Sequence, residues 1–309
     1  MEQLEPLVVI AGPTGSGKSH LALSLAEDFV GEIVNCDSVQ VYRHLDIGTA
    51  KLPTAARRGI PHHLMDIIDP DAIFTAGDYA RAARNTLREI SGRGRLPIVV
   101  GGTGFYLRAL LHGLFEGPIR DNALRAKLAD RKTPLHRILK RLDPAAAARI
   151  HANDTQKLIR AIEVCLVTRR PMTSLHREGS TPLSGYSAVL IGLDPPRDLL
   201  YRRLNERCAE MFAGGLVNEV EAILAMPFSQ DAKALESIGY RQAVGVLAGQ
   251  MSVEEAIENT QQSTRQYAKR QLTWFRREAG VHWIPGFGDA AETYHAAKEL
   301  VQSAFSRAR

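Results

Sequence analysis

One eight-residue segment constrains this chain more than any other. Gly12, Pro13, Thr14, Gly15, Ser16, Gly17, Lys18 and Ser19 satisfy the phosphate-loop pattern G-x-x-x-x-G-K-[ST] at every fixed position. The apolar run Leu7-Val8-Val9-Ile10-Ala11 precedes it and reads as a buried strand. The run His20 to Ala26 follows and reads as a helix. Glycines let backbone N–H groups turn inward on phosphate oxygens, and the helix N-terminus adds a partial positive charge. Lys18 is placed to reach a terminal phosphate and Ser19 to ligate Mg²⁺. The segment therefore specifies a strand–loop–helix unit of an α/β protein and a polyphosphate ligand.

The 309 residues suffice for one large domain or two modest ones. No apolar run approaches a membrane span, and the acidic start Met1-Glu2-Gln3-Leu4-Glu5 resembles neither a signal nor a transit peptide. Cys36, Cys165 and Cys208 lie far apart and form no metal or disulfide pattern, which suits a reducing cytoplasm. The net charge of +5 is unevenly spread. Residues 118–188 carry 14 Lys/Arg against 6 Asp/Glu, a net of +8. A basic module on a slightly acidic body implies either a polyanionic partner or a solvated helical face.

Further strands are expected over Glu32–Asn35, Leu96–Val100 and Ser187–Leu193, with a short last one near Val281–Trp283. Helices are expected over Ala76–Ile90, Phe105–His112, Arg197–Met211 and onward to about Glu278. Pro61 to Pro70 reads as a turn-bounded apolar segment. From Asn122 to Leu175 only helical stretches occur, broken at Lys132-Thr133-Pro134, Asp143-Pro144 and Asn153-Asp154. The expected fold is α/β: a phosphate-loop NTPase-like parallel sheet flanked by helices, over 1–117 and 189–309. An all-helical insertion occupies 118–188.

Several residues could carry chemistry. Asp37, beyond the second strand, is a metal ligand or general base, or equally a turn cap. Gly101-Gly102-Thr103-Gly104 allows close backbone approach to a ligand. Asp194, before Pro195-Pro196, reads as a turn or N-cap residue. Arg203 and Arg207, four apart on one helix face, can clamp a pyrophosphate or pair with nearby acids. Over Arg265–Arg277, Arg265, Lys269 and Arg276 form a basic side, with Tyr267, Ala268, Trp274 and Phe275 opposite. His62-His63 with Asp66 and Asp69 fits no common metal spacing and reads as structural.

These segments together resemble the bacterial tRNA dimethylallyltransferases, also called tRNA isopentenyltransferases. The resemblance is carried by GPTGSGKS (12–19), NCDSVQVYRHLDIGTAK (35–51), GIPHHLMDIIDP (59–70), LPIVVGGTGFYLRALLHGL (96–114), ANDTQKLIRAIEV (152–164), MFAGGLVNEV (211–220), ESIGYRQ (236–242) and TRQYAKRQLTWFRR (264–277). It implies transfer of a dimethylallyl group from dimethylallyl diphosphate to N6 of the adenosine 3′-adjacent to the anticodon. The tRNAs would be those reading codons that begin with U, and the product N6-(dimethylallyl)adenosine. By that likeness Asp37, Thr103 and Arg203 are catalytic and Mg²⁺ is the cofactor. Asp37, Ser38, Val39, Gln40, Thr103, Arg125, Gln156, Lys157, Leu158, Ile159, Arg160, Gly239, Tyr240, Arg241 and Gln242 would contact tRNA. The chain would act as a cytoplasmic monomer. Departures lie in the insertion. Lys157 replaces the family's usual Arg, Thr168-Arg169-Arg170-Pro171 replaces Thr-Gly-Lys-Pro, and the stretch near Asp130 to Leu135 is short. A kinase reading accounts for residues 12–19 but not for the basic insertion. A GTPase-like switch would want an Asn-Lys-x-Asp motif, which the chain lacks.

Overall fold

β1 (Glu5–Ala11) sets the architecture, because Leu7 to Ala11 are buried on both faces. A strand with no exposed face belongs inside a parallel sheet. The computed structural model places it there. It describes residues 4–115, 117–131, 133–227 and 232–306. Met1-Glu2-Gln3 and Lys132 lie outside the described residues. The other strands are β2 (Gly31–Asn35), β3 (His62–His63), β4 (Leu96–Gly101), β5 (Tyr186–Asp194) and β6 (Val281–Pro285). They pair in the order β3-β2-β4-β1-β5-β6, every pair parallel. The Pro61–Pro70 segment thus supplies a two-residue edge strand that its composition does not announce.

The helices are α1 (Lys18–Asp28), α2 (Ala76–Gly92), α3 (Gly104–His112), α4 (Asn122–Ala129), α5 (Leu135–Leu142), α6 (Pro144–Ala147), α7 (Thr155–Thr168) and α8 (Met172–Arg177). After β5 come α9 (Arg197–Ala213), α10 (Leu216–Leu224), α11 (Tyr240–Leu247), α12 (Val253–Phe275) and, last, α13 (Ala291–Ser306). α1 buries Leu21, Ala22, Leu25 and Ala26 against Val8, Ile10, Ile98 and Ile191 of the sheet. α2 starts at a capping box, with Thr75 and Asp78 each bonded to the other's backbone N–H. A second core joins Val41, Tyr42 and Leu45 to Phe212, Leu216 and Tyr240. None of the described helices is long and apolar enough to cross a membrane.

From β1 the chain crosses to β2 on one side of the sheet, whereas from β4 it passes to β5 on the other. That divergence opens a crevice at the carboxyl ends of β1 and β4.

The chain divides into two compact units, residues 1–110 with 184–309, and residues 111–183. The second unit has its own core of Leu128, Leu139, Leu158, Ala161 and Ile162. Two buried carboxylates organise it. Asp143 caps α6 through Ala146 N (3.0 Å) and accepts from Thr173 N and Oγ1 at 2.8 and 2.9 Å. Glu163 accepts from Arg125 at 2.9 and 2.8 Å, from Arg160 at 2.7 Å and from Asp121 N at 2.8 Å. Burial pushes the Glu163 carboxyl up, but the bonds from Arg125 and Arg160 outweigh it and hold the group at about 2.

A carboxyl depressed in the folded state contributes fully above its unfolded value and is lost as pH falls through its folded one. The stability contributed by Glu163 is therefore complete above about 4.5 and lost towards about 2. Thermal melts of the parent and Glu163→Gln should differ most near neutral pH and converge across that window. A gap that stays constant down to pH 2 would exclude this role.

Candidate functional site

A cavity of about 300 Å³ opens in the crevice at the carboxyl ends of the central strands. Its walls include Gly15, Lys18 and Ser19 of the phosphate loop, Asp37 and Gln40 beyond β2, Arg203 and Arg207 of α9, and Gln271 of α12.

The loop can form only with glycine at its bends. Gly15 and Gly17 have φ of 76° and 84°, in the left-handed region. A Cβ on Gly17 would also lie 2.8 Å from Gly288 N, which donates to Ser16 O. Lys18 Nζ donates to Pro13 O at 2.7 Å, folding the side chain back over the loop. Burial pushes the Lys18 ammonium down to about 8, partly offset by Asp37 and reinforced by Arg207. The Ser16 hydroxyl is buried with no hydrogen-bond partner among the described residues. The loop thus presents a positive, partly unsatisfied cradle, as a polyphosphate site requires.

Asp37 takes the turn-cap reading and also lines the cavity. One carboxylate oxygen, Oδ1, accepts from Val39 N (2.8 Å) and Gln40 N (3.2 Å), fixing a turn. Thr103 Oγ1 accepts from Ser38 N at 3.0 Å and donates to Ser38 Oγ at 3.3 Å, so the two loops are stitched together. The Tyr267 hydroxyl lies near Thr103 and Gln271, and burial pushes its pKa up. Gln40 Nε2 donates to Thr49 O.

Gly101 and Gly102 line the cavity and also admit close approach of the protein's own groups. A Cβ on Gly101 would sit 2.0 Å from Cys36 O, and one on Gly102 would sit 2.1 Å from Gln271 Nε2.

The two arginines separate. Arg203 forms two 3.1 Å bonds to Asp289 and lies 3.9 Å over the Phe287 ring. Burial pushes the Asp289 carboxyl up, and the Arg203 bonds more than reverse it. Arg207 makes no hydrogen bond or ion pair among the described residues, and burial lowers its pKa. An unpaired, half-buried guanidinium beside a phosphate loop is a ready anion ligand.

The remaining expected contacts scatter. Arg125 and Arg160 are held by Glu163, while Leu158 and Ile159 are core residues of the second unit. Gln156 and Lys157 are exposed, with Lys157 bonded to Asp154. In the main unit Tyr240 is fully buried with its hydroxyl on Glu219, and Gln242 caps Gly239 N at 2.9 Å; Arg241 is exposed. Val39 is half-buried beside Asp37.

α12 departs from its helical-wheel reading. Arg265 bonds Asn205 and Arg276 pairs with Asp194 at 3.1 Å, so neither is a free phosphate-facing group. Asp194, expected as a cap, instead takes that ion pair. The exposed basic groove is lined by Lys269, Arg270, Arg277 and Trp274. His62 and His63 are structural, bonded to Ile60 O and Glu32. Among the described residues no three potential metal ligands cluster.

Sequence reasoning missed Gln271. Its signal is a polar residue in register with Ala268 and Phe275 on the buried side of α12.

The Lys18 titration carries a checkable consequence. Pyrophosphate affinity of the chain should weaken as pH rises through about 8, where the ammonium loses its proton. Isothermal titrations from pH 7 to 9.5 on the parent and Lys18→Gln share the ligand's own ionisation. Parallel profiles would show that Lys18 does not hold the anion.

A family model described as "IPP transferase" matches residues 40–278. A protein of Solibacter usitatus named tRNA dimethylallyltransferase is 60% identical over 300 residues, covering 96% of this chain and 98% of its own. The crystal structure of a full-length tRNA isopentenylpyrophosphate transferase from Bacillus halodurans is 37% identical with a TM-score of 0.72, over 98% of both chains. Crystallographic snapshots of a eukaryotic dimethylallyltransferase acting on tRNA superpose with a TM-score of 0.85 at 27% identity, covering 99% of this chain and 80% of that one.

Proposed function

This chain belongs to the IPP transferase family, and we propose that it is a tRNA dimethylallyltransferase. Dimethylallyl diphosphate would be the donor, and N6 of the adenosine 3′-adjacent to the anticodon the acceptor. The observation that carries this reading is one cavity uniting a phosphate loop, the unpaired Arg207 and the Asp37 carboxylate. The first two suit a departing diphosphate, and the third a proton leaving an attacking amine.

The loop N–H groups, Lys18 and Arg207 grip the diphosphate. Their charge counts most as negative charge builds on the leaving oxygen. The C1–O bond breaks with its electron pair going to diphosphate, and a C1–N6 bond forms. Asp37 accepts the N6 proton. An exocyclic adenine amine is a weak nucleophile, so placement supplies much of the rate. The adenine must leave the anticodon-loop stack to enter a cavity of this size. Arg203, tied to Asp289, braces the diphosphate wall. The second unit's excess of Lys and Arg supplies attraction for the RNA backbone.

Residues for a divalent cation are few, and this suits Mg²⁺. The Ser19 hydroxyl makes no hydrogen bond among the described residues, and an ion held there would draw its other ligands from diphosphate and water. When bound, Mg²⁺ would neutralise diphosphate charge.

A transfer assay with radiolabelled dimethylallyl diphosphate, Mg²⁺ and unmodified tRNA, digested to nucleosides, should place label in N6-(dimethylallyl)adenosine. Absence of label, with phosphate released from ATP instead, would overturn the reading. Asp37→Asn should lower turnover by roughly 100-fold or more with tRNA affinity nearly unchanged. Arg207→Gln should cost about 100-fold in turnover and Arg203→Gln about 10-fold. The reverse order would make Arg203 the principal diphosphate ligand.

A further inference from the structure

Asp37 and Gln40 stand on a segment with little regular structure to hold it. No helix or strand element runs from Cys36 to Leu52. The segment bends through His44 (φ 67°) and Ala50 (φ 48°). It packs on a stretch that bends through Leu64 (φ 59°) and Asp66 (φ 56°). All four are left-handed residues bearing a Cβ, a conformation that persists only where surrounding bonds enforce it.

Asn35 Nδ2 donates to Leu64 O at 3.0 Å, and Lys51 supplies several of the other bonds. Its side chain is 3% exposed. Its ammonium donates to Tyr42 O at 2.6 Å, Asp46 Oδ1 at 3.0 Å and Asp66 Oδ1 at 2.5 Å. An ammonium has three donors, and here every one is used. The acceptors close a ring around the Asp37 turn. Tyr42 N donates to Val39 O within that turn, and Asp66 N donates to Gln40 O. Gln40 Nε2 bonds Thr49 O, two residues before Lys51. From outside, Glu219 of α10 accepts from Asp46 N (3.2 Å) and Ile47 N (2.8 Å), fixing the middle of the segment. A buried cation with three acceptors on two chain segments cannot be released without freeing both.

We propose that Lys51 is a positioning residue for the transfer reaction. Its bonds to Tyr42, Asp46 and Asp66 hold the turn that presents Asp37 and Gln40 to the cavity. Lys51 lines no part of the cavity and touches no reacting atom, so it acts through Asp37. The proposal rests on the transferase reading above.

The test compares Lys51→Met and Asp66→Asn in the parent and in an Asp37→Asn background. Single-turnover transfer of labelled dimethylallyl groups to tRNA gives the rate, and pyrophosphate titration reports the phosphate loop. Lys51→Met should slow transfer roughly 10- to 100-fold and Asp66→Asn about 5-fold, with pyrophosphate affinity within about twofold of the parent. Neither change should slow Asp37→Asn further, because the group being positioned is already disabled. The same fold-loss in both backgrounds, or weakened pyrophosphate binding in step with the rate, would mean general loosening and sink the proposal. Should Lys51→Met not fold, Asp66→Asn leaves Lys51 two acceptors and carries the comparison. A parent that transfers while its variants match it overturns the role of Lys51 alone. A parent that transfers no label overturns the functional reading and this proposal with it.

Discussion

The side-chain amide of Gln271 joins three walls of the cavity, the phosphate loop, the end of β4 and α12. Its oxygen accepts from Thr14 N in the phosphate loop at 2.8 Å, and its nitrogen donates to Gly102 O beyond β4 at 2.9 Å. It is buried, so neither end can fall back on water, and losing either partner would leave an uncompensated polar group. The amide therefore fixes the distance between two loops and a helix at once. Thr103, next to Gly102 in the chain, extends the tie to Ser38 beside Asp37. Four segments distant in sequence become one rigid constellation through neutral hydrogen bonds. These ties between segments use no charge, whereas the Asp37 turn itself is held by charged groups, Lys51 with Asp46 and Asp66.

That division of labour shows in the cations. Lys18 folds onto Pro13 O and is pushed towards neutrality by burial. Arg207 is also pushed down by burial, which Cys208, Asp37 and Glu210 offset only in part, and no carboxylate bonds it among the described residues. Two desolvated cations beside each other are unfavourable alone and become favourable together once an anion bridges them. Arg203 is the contrasting case. Neutralised by Asp289 and stacked on Phe287, it is stable without ligand and serves as wall. Sequence spacing makes the two arginines equivalent on one helix face. Only the acid brought from residue 289 distinguishes them.

Much of the fold was legible because it follows from local rules. The double burial of β1, the glycines of residues 12–17 and the 3.6 periodicity of α2 are written in contiguous residues. The two-residue strand at His62–His63 was not, since pairing with Ile33 and Val34 defines it and no run of its own does. In the site, the phosphate loop was legible as a motif and Asp37 as a carboxylate after a strand. The fates of Tyr240, Leu158, Ile159 and Gln242 were not. Motif likeness marks a segment, but burial decides which of its residues can reach a partner, and burial is set by helices elsewhere. On α12 the buried side, Ala268 and Phe275, was legible, but the basic side was misread in part for the same reason. Arg265 and Arg276 found Asn205 and Asp194, residues about 60 and 82 positions away.

The second unit applies the same physics to a different end. Arg125 and Arg160 read as RNA contacts, yet both are anchored on Glu163. The anchor leaves further donors on both side chains. A guanidinium has five N–H donors, and Glu163 with Pro118 O occupies only part of each set. A free arginine loses side-chain freedom when it grips a phosphate, whereas one already held by a buried carboxylate has lost it on folding. The carboxylate subtracts charge but fixes direction, and ten further Lys and Arg among the described residues of 118–188 lie in exposed positions to restore the field. Orientation and attraction are thus assigned to different residues of one basic module.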